Sequence, residues 1–192
     1  MNCHSYINYY RIYTDGSKSG DRIGAAVVHR NKTKCVRLPD IASIFRAELY
    51  ALPLTIDVVC RPKEKNFVIF SDSMWSLQAI SGFKIELDLV QRFKKDYSTL
   101  SKSGKTVVLC WIPSHVGISG NEKASHVGIS GNEKADTAAK SALSLRVTPM
   151  KIPAADLVSR VTMLISEKWQ QFWNSCTGNK LQAIRPTVGG HQ

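Results

Sequence analysis

The sequence predicts an α/β protein with an antiparallel beginning and a parallel continuation. Two observations predict it. Three short runs that read as strands, the first rich in β-branched and aromatic residues, succeed one another near the start, joined by short polar connections. Beyond them, two short apolar runs alternate with segments of helical periodicity, which is the pattern of a parallel sheet.

Residues 9–14 read as a strand running into the turn Asp15-Gly16-Ser17. Residues 24–29 form a second strand, joined to the first across the polar loop 18–22 as a hairpin, and 35–38 a short third. Phe45, Leu49, Leu52, Ile56 and Val59 then recur at helical spacing. Pro53 sits inside that helix, lacks a backbone donor, and is expected to kink or split it. Residues 67–70 are a strand closed by Ser71-Asp72-Ser73, and a short helix through Trp75 and Ile80 comes next. Leu87, Val90, Phe93, Tyr97 and Leu100 mark a further helix ended by Ser103-Gly104. Residues 107–112 are a buried strand stopped by Pro113, and a last core helix covers about 133–145. Trp75 and Trp111 are expected in the core. The domain plan is an N-terminal extension at 1–8, the α/β domain at 9–146, and a linker with a helical tail at 147–192. In the tail, Leu157, Val161, Leu164, Ile165, Lys168 and Phe172 give an amphipathic helix, and the end from 187 onward is expected to be loose.

Composition narrows the function classes. Lys and Arg number 26 against 15 Asp and Glu, a formal net charge of +11, which favours polyanionic partners. The longest apolar run, 107–112, is far too short to cross a bilayer, so no membrane partner is expected. The opening Met1-Asn2-Cys3-His4-Ser5-Tyr6 has no apolar core of a signal peptide. Five widely spaced cysteines, an odd number, read as reduced thiols of an intracellular protein in the cytoplasm or nucleus.

Four acids stand apart by context. Asp15 and Asp72 each lie where an apolar strand meets a Gly or Ser turn, and strand ends are where α/β proteins build sites. Glu48 lies beside the apolar stripe of the helix between them, and Asp136 opens the last helix. Half-buried carboxylates that converge repel one another and need a cation, for which hard ions such as Mg²⁺ or Mn²⁺ are suited. Asp also caps turns and helices. Spacing therefore reaches as far as a candidate carboxylate cluster in a basic α/β domain.

The motifs reach further. Tyr13-Thr14-Asp15-Gly16-Ser17, Phe45-Arg46-Ala47-Glu48-Leu49, Phe70-Ser71-Asp72-Ser73, Trp111-Ile112-Pro113-Ser114-His115 and Gly131-Asn132-Glu133-Lys134-Ala135-Asp136 resemble, in order, those of the type 1 ribonuclease H family. Their flavour is similar to that of the domain ending non-LTR retrotransposon polyproteins, and the Trp-rich tail from Ala154 is similar to the segment after that domain in such elements. The resemblance implies a ribonuclease H-like fold, with a five-stranded mixed sheet flanked by helices. It implies a metal-dependent endonuclease that cuts the RNA strand of RNA–DNA hybrids, as a monomer or as part of a reverse-transcriptase polyprotein. Asp15, Glu48, Asp72 and Asp136 would hold two Mg²⁺, which Mn²⁺ can replace. His126 would aid proton transfer or product release from a loop before the last helix. Ser43 and Ser17 would contact substrate. The short stretch 81–87 leaves no room for the basic protrusion with which some members grip hybrid.

One feature departs from the family. The eleven residues 114–124 are repeated identically at 125–135. His115 has the expected anchoring just after the strand, but the first copy is followed by Ser125. The second copy is followed by Asp136, and His126 has the family's spacing to it. The first copy is expected to loop out, at a closure cost of about 1 kcal/mol, while the second forms the native loop and helix. Gly117, Gly120, Gly128 and Gly131 argue against one continuous helix. The alternative is a catalytically degenerate retroelement relic that at most binds nucleic acid. A transposase or integrase core would share the fold, but these motif contexts point away from it.

Overall fold

The computed structural model describes residues 6–82, 87–113, 126–176 and 178–187, with backbone only at 126–129, 155 and 159. β1 (Tyr10–Ser19) and β2 (Arg22–His29) form a hairpin around Gly20-Asp21. Gly20 takes φ +58°, a left-handed conformation that only glycine adopts without steric cost. β3 (Lys32–Leu38) pairs antiparallel with β2. β4 (Asn66–Ser71) and β5 (Thr106–Trp111) add in parallel on the other side of β1. The result is the expected five-stranded mixed sheet, in the order β3-β2-β1-β4-β5.

β1 is longer than the pattern 9–14 predicts. β2 keeps it extended through the pairs Asp15↔Ala26 to Ser19↔Arg22, whereas β4 stops at Thr14↔Ser71. Asp15 therefore lies inside a strand, one residue past the point where its parallel neighbour ends. A strand's end is decided by its partners, which local sequence does not display.

α1 (Ile44–Cys60) begins where the Ser43 hydroxyl accepts the Arg46 backbone N–H at 3.0 Å. It is one helix through Pro53, so the proline does not split it. Leu49, Leu52 and Val59 are fully buried on its inner face. Each such side chain contributes about 1.5–3 kcal/mol, together more than the ~3 kcal/mol an interior proline costs. α2 (Met74–Ser81) buries Ser76, Leu77 and Ile80. Trp75 falls on the opposite face and is 74% exposed, a correction to its expected place in the core. α3 (Asp88–Lys102) buries Leu89, Val90, Phe93 and Leu100. Asp88, in its first turn, pairs with the buried Arg46 guanidinium at 2.7 and 3.1 Å and ties α3 to α1. Among the described residues no helix stands between α2 and α3.

α4 (His126–Ala142) covers β1, β2 and β3 on the other face of the sheet. One core cluster, including Ile12, Leu49, Leu52, Phe67 and Phe93, lies on the α1 side. The other, including Tyr13, Phe70, Cys110, Ala135 and Ala139, lies under α4. The helix begins at His126 rather than near Glu133, so the stretch expected to be a loop is helical. Gly128 and Gly131 do not break it; at Gly131, close approach to Tyr13 outweighs the ~1 kcal/mol a helical glycine costs. A Cβ on Gly131 would clash with the Tyr13 ring at 2.2 Å from Cζ, and one on Gly24 of β2 would lie 2.6 Å from the Ala139 carbonyl oxygen.

The chain divides into two compact units, Met1–Met150 and Lys151–Gln192. Residues at the start of the expected linker belong to the sheet edge: Val147 bridges Arg37, and the Thr148 N–H donates to the Arg37 carbonyl at 2.8 Å. In the second unit, α5 (Ala154–Ser175) precedes the short α6 (Lys180–Ile184). The Trp173 indole donates to the Arg185 carbonyl at 3.0 Å, closing the end of α5 onto the residue after α6. No described helix is long and apolar enough to cross a membrane. The first copy of the repeat at 114–124, His115 within it, and the chain end from 188 lie outside the described residues.

Candidate active site

β1 and β4 run side by side, and each delivers an acid where their pairing ends. Asp15 comes directly after the last paired residue of β1, and Asp72 directly after the last residue of β4. α1 crosses above them and lowers Glu48 into the same place. Carboxylate oxygens of Asp15, Glu48 and Asp72 all lie within 4.8 Å of one another. The close approach of α1 requires Gly16, since a Cβ there would stand 2.8 Å from the Glu48 backbone nitrogen and 3.0 Å from its carboxyl carbon. Asp136, from α4, lines the same cleft of about 380 Å³ together with Ile44, Phe45, Ser73 and Trp75.

The electrostatics are set by burial. Burial pushes the Asp15 carboxyl up to about 8, helped by the charges of Asp72 and Asp136. Burial also pushes Glu48 up to about 9, helped by Asp15 and Asp72. The Gly16 backbone N–H opposes both shifts, and the Lys140 ammonium opposes that of Asp15. Glu48 Oε2 is buried and accepts no hydrogen bond from the described residues. A set of oxygen donors this crowded and this short of positive charge fits a hard divalent cation.

Residues outside the sequence-based selection hold the acids in place. The Asn132 amide donates to Asp72 Oδ2 at 3.3 Å, and the Trp111 indole donates to the Asp72 carbonyl at 3.1 Å. Trp111 is 43% exposed at the end of edge strand β5, which corrects its expected burial in the core. Lys140 pairs with Asp136 Oδ2 at 2.7 Å. Asn132 and Lys140 stand four residues before and after Asp136, so helical spacing could have found both. Trp75 is legible as the third residue after Asp72, but its outward face depends on which side of α2 is buried.

Two selected serines stand elsewhere. Ser43 caps α1, and Ser17 is buried in β1 opposite Gly24; neither lines the cleft. His126 opens α4, so ten residues of helix at about 1.5 Å each put its backbone about 15 Å along the axis from Asp136. The loop expected to carry it is replaced there by helix, and its side chain lies outside the described residues.

A mixed sheet in this strand order, with acids from two neighbouring strands and from helices on both faces, defines a nuclease-type α/β domain. A family model described as RNase H matches residues 8–144, and the chain belongs to that family. Its domain is thereby of the ribonuclease class directed at RNA–DNA hybrids.

Proposed function

We propose that this chain is an active, metal-dependent endonuclease that hydrolyses the RNA strand of RNA–DNA hybrids, and that it derives from a retroelement of the non-LTR class. The convergence of Asp15, Glu48 and Asp72 within 4.8 Å, with two of the three strongly destabilised as anions, carries the proposal. Asp15, Glu48, Asp72 and Asp136 would hold the ions, Mg²⁺ or Mn²⁺. Bound there, such ions supply Lewis-acid activation of water and neutralise the charge that develops on a phosphodiester.

The chain's own groups do the rest. Asn132 and Trp111 hold Asp72 from two sides, which sets its carboxylate before substrate arrives. Ile44, Phe45 and Trp75 give the cleft an apolar wall beside the acids, suited to sugar and base surfaces. Recognition rests on groove width and 2′-hydroxyls rather than base sequence. The position of Asp136 in the cleft supports the enzyme over the relic, since the duplication has not removed it from the site.

Cleavage of an end-labelled RNA–DNA hybrid with Mg²⁺, then Mn²⁺, tests the proposal. The expected result is ion-dependent cutting of the RNA strand to 3′-hydroxyl and 5′-phosphate ends, with Asp72→Asn at least 100-fold slower, roughly the range for removing a group that stabilises developing charge. A folded wild-type chain that leaves hybrid intact with both ions would establish the relic instead.

A further inference from the structure

We propose that Lys140 is a positioning residue that holds Asp136 while the cleft is free of ions, and that the second ion must displace it. The proposal rests on the metal-dependent reading above. It starts from an asymmetry among the four acids. Asp15, Glu48 and Asp72 form a closed group whose oxygens lie within 4.8 Å of one another. Asp136 lines the same cleft, but one of its oxygens is engaged 2.7 Å from the Lys140 ammonium.

The geometry of that contact is set by the helix. Lys140 lies one turn of α4 beyond Asp136, and an acid preceding a base at this spacing is the favourable orientation. The lysine side chain is 61% exposed, whereas that of Asp136 is 18% exposed. The ammonium therefore caps the outer side of a half-buried carboxylate. Its charge also reaches Asp15, which it stabilises as an anion.

Charge and space set up a competition. An ion approaching Asp136 seeks the lone pairs that the ammonium occupies, and two cations cannot share one carboxylate oxygen without repulsion. An exposed ion pair is weak enough to be exchanged and strong enough to select one rotamer. Among the described residues no cation pairs directly with the three-acid group, and Asp72 takes there only the neutral Asn132 amide. The sites thus load in order, the Asp15, Glu48 and Asp72 group first and the Asp136 side second.

Mn²⁺ binding to the full chain, followed by calorimetry and by electron paramagnetic resonance, tests this without any cleavage assay. Wild type should show a stronger and a weaker ion. Lys140→Met removes the charge and keeps the stem, and should tighten the weaker ion about two- to five-fold, the range an exposed ion pair is worth, with a smaller gain at the stronger ion, which feels the lysine only through space at Asp15. Lys140→Arg should bind as wild type does. In an Asp136→Asn background, Lys140→Met should give a clearly smaller gain, only that felt through space at Asp15, and Lys102→Met, an exposed lysine of α3, should be silent throughout. An unchanged Lys140→Met isotherm overturns the proposal, as does an equal gain in the Asp136→Asn background, which would reveal only a loss of general positive charge. Wild type that binds no Mn²⁺ at the acids would overturn the metal-dependent reading and the lysine's role with it; binding that ignores Lys140 overturns the lysine's role alone.

Discussion

Asp15 and Glu48 hold protons more tightly in the folded chain than in the unfolded one. Burial is the larger cause and the neighbouring carboxylates the second. Their carboxyls titrate near 8 and 9 instead of the ordinary 3.8 and 4.5. Between those limits the folded state binds more protons than the unfolded state, so stability falls as pH rises. The contribution is fully present below about pH 4 and is lost as pH climbs through the two folded values. Ion-free protein in chelator should therefore melt at steadily lower temperature from about pH 5 to about pH 9. Asp15→Asn should flatten that decline, and added Mg²⁺ should raise the melting temperature most at the alkaline end. A melting temperature independent of pH would show that the crowded acids are relieved by some other group.

Helix α1 shows an element held together by its surroundings. Pro53 removes the N–H that would bond the Leu49 carbonyl, yet the helix runs from Ile44 to Cys60 because its inner face is buried along its length. The lost hydrogen bond remains a cost. Pro53→Ala should stabilise the protein by about 1–3 kcal/mol, less whatever packing the ring supplies, as read from urea unfolding midpoints. A destabilised variant would show that the buried ring contributes more by packing than the missing bond costs. In α4 the same balance runs through Gly131. It is a poor helix former, but it is the residue that lets the helix lie against Tyr13.

For the whole molecule, the duplication poses a question of register. Both copies offer the same Gly-Asn-Glu-Lys-Ala segment to the sheet. The residues downstream of the two copies differ. After the second copy come Ala138, Ala139 and Ala142, all buried against the sheet. The corresponding positions after the first copy are Val127, Gly128 and Gly131. Alanine in place of a β-branched residue and two poor helix formers, together with Asp136, favours the second copy, so the downstream sequence sets the register. Deleting residues 114–124 should then leave the fold, the carboxylate group and the hybrid cleavage in place. The first turn of α4 would unwind to span the roughly seven residue steps from Pro113 to Gly131, a reach of up to roughly 23 Å. Circular dichroism, melting and Mn²⁺ binding on the deletion variant check this. Loss of the melting transition would mean that the first copy is part of the folded domain.

Sequence by itself determined the α/β order, the mixed sheet and the motifs that carry Asp15, Glu48, Asp72 and Asp136. These are local properties: periodicity, turn chemistry and short words that need no partner to be read. The tertiary structure alone decided that β1 continues past Asp15, that Trp75 and Trp111 face outward, that α4 begins at His126, and that Ser43 and Ser17 stand outside the cleft. It alone brought the three acids within 4.8 Å and set Lys140 on the fourth in a shared site. Each of those outcomes depends on which residue of one element lies opposite which residue of another. Strand register and helix docking set that correspondence, through burial and close packing between segments tens of residues apart.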